Sequence, residues 1–271
     1  MSAAPELPYE VHPGEGPFCL LVHGILASRA NWRPNLAALG AVCRPVVVEL
    51  WGHGRSPSPD EPAAYRPDAY VAQFERIRTE LGAPRWLLVG QSMGAGLTLR
   101  YALDHPERVI AQVFTNSTSG TWRRWEADRA RPIVAKDADA FRSRGRAALE
   151  DHMFNPAKAR RVDPELKAEM VAQFAEHDPH GVAHGMVETM CGVGDAERFA
   201  EMAPPTLLAL GEEEKGFLAR VELCRRIPGL ELSAHPAGHS VNLHDPAGFN
   251  AAVTAFFRRW LTDPPARPGS A

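Results

Sequence analysis

Gly90, Gln91, Ser92, Met93 and Gly94 form the pattern G-x-S-x-G between two hydrophobic segments. The run before it, Trp86 to Val89, is short and apolar, and the residues after it have the composition of a helix. A serine at the apex of so sharp a strand-to-helix turn presents its hydroxyl and strains its backbone, and the flanking positions leave no room for side chains. The chemistry this suits is attack on a carbonyl carbon with a covalent acyl intermediate. Attack puts negative charge on the carbonyl oxygen, so backbone N–H donors must be waiting there. The turn offers the N–H of Met93. A second donor must come from another loop, and the strand Leu20 to Val22, which runs into His23, Gly24 and Ile25, makes the N–H of Ile25 the candidate. His23 reads as a structural residue of that turn. Taken alone, the pentapeptide also fits a serine at an ordinary helix cap, and its companions must decide between the two.

The elements that would position these groups are legible as alternating patterns. Short apolar runs bounded by glycine or proline recur at Phe18 to Val22, Val46 to Leu50, Trp86 to Val89, Val109 to Phe114 and Thr206 to Leu210, with a weaker one at Leu230 to Ala234. They read as strands of a mostly parallel sheet buried on both faces. Between them, Tyr70, Phe74, Ile77 and Leu81 keep helical spacing behind Pro67 and Asp68. Phe249, Val253, Phe256 and Trp260 do the same behind Asp245 and Pro246. The alternation implies right-handed crossovers, with helices on both faces. It breaks from 118 to 203, where a largely helical composition carries tryptophans, methionines and phenylalanines but no comparable strand. The expected organisation is a core formed by 1–117 and 204–262, a helical insertion at 118–203 acting as a lid, and a loose tail at 263–271. Trp122 and Met186 are the candidate pocket residues of that lid.

Six landmarks stand in order along the chain: LLVHGILAS, ELWGHGRS, GQSMG, LDHPERV, LLALGEEE and PAGHSVNLHDP. Together they resemble the α/β-hydrolase superfamily, in its lid-bearing serine esterase and haloperoxidase-like branch, over residues 16 to 260. The resemblance implies the α/β-hydrolase fold, with Ser92 as nucleophile and His239 in AGHSVN as the base. It places the acid in the loop after the strand Thr206 to Leu210, usually three residues past the glycine. That register selects Glu214, with Glu213 as the alternative because glutamate is longer than aspartate. The family's other acid position, after the preceding strand, holds the uncharged Asn116. Two departures stand out. Glu49 occupies a position where aspartate is usual, and the N-terminus is short for eight strands, so Leu7 to Val11 is the expected opening strand.

The bulk properties exclude other classes. Apolar residues make up 45% and charged residues 23% of the 271, the balance of an ordinary globular protein. A formal charge of -3 gives no basic footprint for nucleic acid. Neither a leader pattern nor a bilayer-length apolar stretch is present, so a cytoplasmic protein with no membrane partner is expected. Cys19, Cys43, Cys191 and Cys224 lack C-x-x-C spacing and read as buried thiols. His177, His180 and His184 resemble ligand spacing, but Pro179 and Gly181 are expected to break the helix that would align them, so no metal is expected. Serine rather than aspartate at the turn points to an acyl-enzyme that needs no cofactor. The leading reading is hydrolysis of a small-molecule carboxylic ester, or of a lactone, by Ser92, His239 and Glu214. Carbon–carbon hydrolysis or lyase chemistry on the same residues is the alternative, with Arg123, Arg124 or Arg129 available for a substrate carboxylate. A ligand receptor is the reading from another class.

Overall fold

The computed structural model describes residues 5–262, and the tail at 263–271 lies outside the described residues. The strands are β1 (Tyr9–Val11), β2 (Phe18–Val22), β3 (Arg44–Val48), β4 (Trp86–Gly90), β5 (Val109–Thr115), β6 (Thr206–Gly211) and β7 (Glu231–His235). They form one sheet in the order β1-β3-β2-β4-β5-β6-β7. β1 is antiparallel to β3, and every other pair is parallel. The helices are α1 (Arg33–Gly40), α2 (Pro67–Glu80), α3 (Met93–Asp104), α4 (Arg124–Arg144), α5 (Arg146–Asp151), α6 (Pro164–Phe174), α7 (Pro179–His184), α8 (Lys215–Leu218), α9 (Val221–Cys224), α10 (Val241–His244) and α11 (Pro246–Thr262). This is the α/β-hydrolase fold, with a mostly parallel sheet flanked by helices.

Alternation along each strand explains the two layers of core. Cys19, Leu21, Leu87, Val89, Ala111 and Val113 face one way and pack on Leu39 of α1 and on Phe249, Val253 and Phe256 of α11. Leu20, Val22, Trp86, Leu88 and Phe114 face the other way, toward Tyr70, Phe74 and Ile77 of α2 and Tyr101 of α3. Both helical stripes read from the sequence are therefore core. Asp245 caps α11 as expected, its Oδ1 accepting from Gly248 N–H at 3.1 Å.

Two strands have ends two residues from expectation, for local reasons, and the others agree to within one residue. The opening strand shrinks to Tyr9–Val11 because Leu7 N–H donates to Gln73 Oε1 at 2.9 Å and Pro8 has no N–H to give a ladder. β3 ends at Val48 because Leu50 and Trp51, although fully buried, belong to the turn that follows. Between Thr115 and Thr206 the chain forms helices α4 to α7 and short 3₁₀ and π turns, with no strand. Among the described residues, no helix is long and apolar enough to cross a membrane. All four cysteines are buried free thiols.

Candidate active site

The turn between β4 and α3 carries Ser92 at φ 55° and ψ −122°, in the left-handed region that a serine rarely adopts. Its neighbours have no space for side chains. A Cβ on Gly90 would meet Ala95 Cα at 2.4 Å, and one on Gly94 would meet the Val22 carbonyl oxygen at 2.2 Å. The strained peptide is held from behind, since the buried Ser117 donates its hydroxyl to the Ser92 carbonyl at 2.6 Å.

Ser92 Oγ–H donates to His239 Nε2 at 2.8 Å, and His239 Nδ1–H donates to Glu214 Oε1 at 3.0 Å. The sheet thus brings together three residues from the ends of β4, β6 and β7. Asn116, from the end of β5, completes the arrangement. Its Nδ2 donates to Glu214 Oε2 at 2.8 Å and to the Gly211 carbonyl at 3.0 Å, while its Oδ1 accepts from Gly211 N–H at 2.9 Å. Burial raises the Glu214 pKa, but the hydrogen bond and charge of His239, with the Asn116 bond, outweigh it and hold the carboxyl below its ordinary range. Glu213 points elsewhere and pairs with Arg161 at the surface.

The N–H groups of Ile25 and Met93 donate no hydrogen bond among the described residues, whereas Gly24 N–H donates to Gln91 Oε1 at 2.9 Å and Leu26 N–H to His53 Nε2 at 3.1 Å. Contact is close here, for a Cβ on Gly24 would come within 2.7 Å of Ser92 Cβ. Leu26 itself has φ 58°, a second strained residue one position past Ile25. Three buried histidines support this loop. His23 donates from Nδ1 to the Gly24 carbonyl at 2.8 Å and accepts from Leu50 N–H at 3.1 Å. His53 donates from Nδ1 to the Trp51 carbonyl at 3.0 Å. His177 Nδ1 accepts from Gly54 N–H at 2.8 Å, with its ring 5.0 Å from that of His53. Desolvation pushes His23 and His53 down to about 3 and lowers His177 as well, so all three are neutral. His23 is thus the structural residue the sequence indicated, and the parts played by His53 and His177 were not visible there.

A cavity of about 250 Å³ opens onto Ser92 and His239. Its mouth is formed by Met153 and Phe154, which are 75% and 45% exposed, and the Phe154 ring lies nearly parallel to that of His239. Met170 and Phe174 form an apolar wall. Neither Trp122 nor Met186, the pocket residues suggested by the sequence, lines this cavity. Met186 is buried in a π-helical turn, Gly185–Met190, and Trp122 packs against the core. Arg123, Arg124 and Arg129 are exposed and also stand outside it. Pro179 and Gly181 do not break this helix: Asp178 caps α7, Pro179 opens it and Gly181 lies inside it. Among the described residues, no group of three or more ligating side chains could hold a metal ion.

The chain matches the α/β-hydrolase fold over residues 18–246 and belongs to that family. It is 28% identical over 268 residues to a protein of Variovorax paradoxus strain S110 provisionally named the carbamate hydrolase RutD, covering 93% of this chain and 96% of the relative. Among solved structures it is similar to MenH from S. aureus, with TM-score 0.81, 18% identity and coverage of 93% and 98%. It is also similar to the enol-lactonase from Burkholderia xenovorans LB400, with TM-score 0.79, 22% identity and coverage of 93% and 96%. At these identities the structural likenesses establish the fold alone.

Proposed function

We propose that the protein is a serine hydrolase of small carboxylic esters or lactones, acting through an acyl-enzyme. The observation that carries this reading is the unbroken hydrogen-bonded chain from Ser92 through His239 to Glu214. In this reading Ser92 Oγ attacks the substrate carbonyl as His239 Nε2 takes its proton, and Glu214 stabilises the imidazolium. The N–H groups of Ile25 and Met93 receive the oxyanion, which their lack of another partner among the described residues supports. His239 returns the proton to the leaving oxygen, and water activated by the same imidazole releases the acid. These steps need no cofactor.

The segment 118–203 acts as the lid, and Met153 and Phe154 at the cavity mouth, rather than Trp122 and Met186, are its substrate-facing residues. The four free thiols suit a cytoplasmic setting. Carbon–carbon cleavage would call for a cation inside the cavity to hold a substrate carboxylate, and the lid arginines offered for it stand outside. A fluorophosphonate should label Ser92 alone, and p-nitrophenyl esters should be hydrolysed with loss of turnover in Ser92→Ala. Labelling elsewhere with Ser92 untouched, or full turnover in that variant, would remove the assignment.

A further inference from the structure

Three neutral side chains line the cavity beneath its exposed mouth: Ser28, Asn31 and Gln91, which are 2%, 5% and 3% exposed. The two amides cannot turn freely, because their oxygens are already engaged by backbone donors. Asn31 Oδ1 accepts from Ser28 N–H at 3.1 Å, and Gln91 Oε1 accepts from Gly24 N–H at 2.9 Å. With each oxygen so engaged, the Asn31 and Gln91 NH₂ groups point away from those bonds and donate to no described residue, and neither does the Ser28 hydroxyl. A substrate that fills the cavity would shut these donors off from solvent, and donors so covered are seldom left without acceptors, since the loss of hydration is costly.

The geometry points to a subsite for a neutral hydrogen-bond acceptor, a ketone, ether or hydroxyl oxygen, carried by the substrate away from its scissile carbonyl. The inference rests on the esterase reading in placing that carbonyl at Ser92. The acceptor is neutral because the subsite holds no cation. Of the lysines and arginines among the described residues, only Lys158 lines the cavity, and it is exposed at the mouth, where its Nζ is held by the carbonyls of Asp151 at 2.6 Å and His152 at 3.2 Å. A carboxylate in the cavity would be desolvated without a countercharge. A plain alkyl chain would fill the apolar side but strand the donors. A substrate with an oxygen at the right position satisfies both surfaces.

Binding to the Ser92→Ala protein tests the subsite without turnover. Calorimetry would compare methyl hexanoate with methyl esters bearing a ketone at the third, fourth or fifth acyl carbon, with butyl acetate and its ketone-bearing counterpart, and with the half-ester of adipic acid. At least one ketone ester should bind about tenfold or more tightly than its hydrocarbon counterpart, and the half-ester should bind no better than methyl hexanoate. Asn31→Asp keeps the oxygen that accepts from Ser28 N–H and replaces the donor with an acceptor, so it should erase the preference. Ser28→Ala should reduce it. Equal binding of ketone and hydrocarbon esters, or tightest binding by the half-ester, would overturn the subsite even where the unmodified enzyme hydrolyses all of them. A ketone preference in a protein that hydrolyses none would uphold the subsite and remove the esterase reading.

Discussion

Acidification from about pH 7 to about pH 5 should destabilise this protein well before its carboxylates titrate. His23 and His53 are fully buried and remain neutral in the folded state down to about 3. In the unfolded chain a histidine takes up its proton near pH 6.5. Between those two values the unfolded state binds more protons than the native state, so stability is lost as pH falls through about 6.5 and continues to fall toward 3. Integrated from pH 7 to pH 5, each residue costs about 2 kcal/mol, and the pair about 4 kcal/mol. His177 and the half-buried His152, His184 and His244 are shifted in the same direction and add to the loss. The physical cost is specific. Protonated His53 could no longer accept the N–H of the strained Leu26, and protonated His23 would release the N–H of Leu50. Urea unfolding followed at several pH values measures the effect directly. His53→Gln, which can accept a hydrogen bond but does not titrate, should recover about 2 kcal/mol of the change over the same interval. A total loss below about 1 kcal/mol, or an identical pH profile in the variant, would refute the argument that these rings fold neutral.

Glu214→Gln should lower kcat on an activated ester by about a hundredfold or more. Glu213→Gln should stay within about twofold of the parent, because Glu213 serves only a surface pair worth little. Asn116→Asp would set a second carboxylate beside Glu214, so the acidic limb of the kcat/KM profile should move to higher pH as the pair shares a proton. An unmoved limb would mean that Asn116 only ties the loop at Gly211.

The sharp turn at Ser92 was legible because its requirements are local. Glycines at 90 and 94 are demanded by close contacts on both sides of the turn, which stands between the short apolar strand β4 and the helix α3. The placement of Glu214 against His239 has a related cause, since a strand end followed by a short loop leaves few positions from which a carboxylate can reach that ring. What escaped notice was set by contacts across long sequence separations. Asn116 was passed over because an amide cannot stabilise an imidazolium, yet it is held to Glu214 across 98 residues as a donor. His177 was weighed as a metal ligand from its spacing to His180 and His184, whereas its partner is the Gly54 amide 123 residues away.

The cavity is the instructive failure, because composition could not separate its wall from the core. Trp122 and Met186 are large apolar residues of the insertion, and Phe154 and Met153 are of the same kind in the same segment. Burying apolar area favours both placements to the same degree. What distinguishes them is the chain geometry after α5, where a turn and the 3₁₀ segment Pro156–Lys158 carry Met153 and Phe154 out over His239. Met186 is instead carried inward by its π turn and is 4% exposed. The polar members of the cavity are better defined than the apolar ones. An apolar side chain gains from any apolar neighbour, but a buried amide must account for each of its donors and acceptors. For Asn31 and Gln91 the acceptors are engaged by backbone N–H groups, and the donors have no partner among the described residues. Substrate preference should therefore follow those donors more closely than the volume of the apolar residues around them.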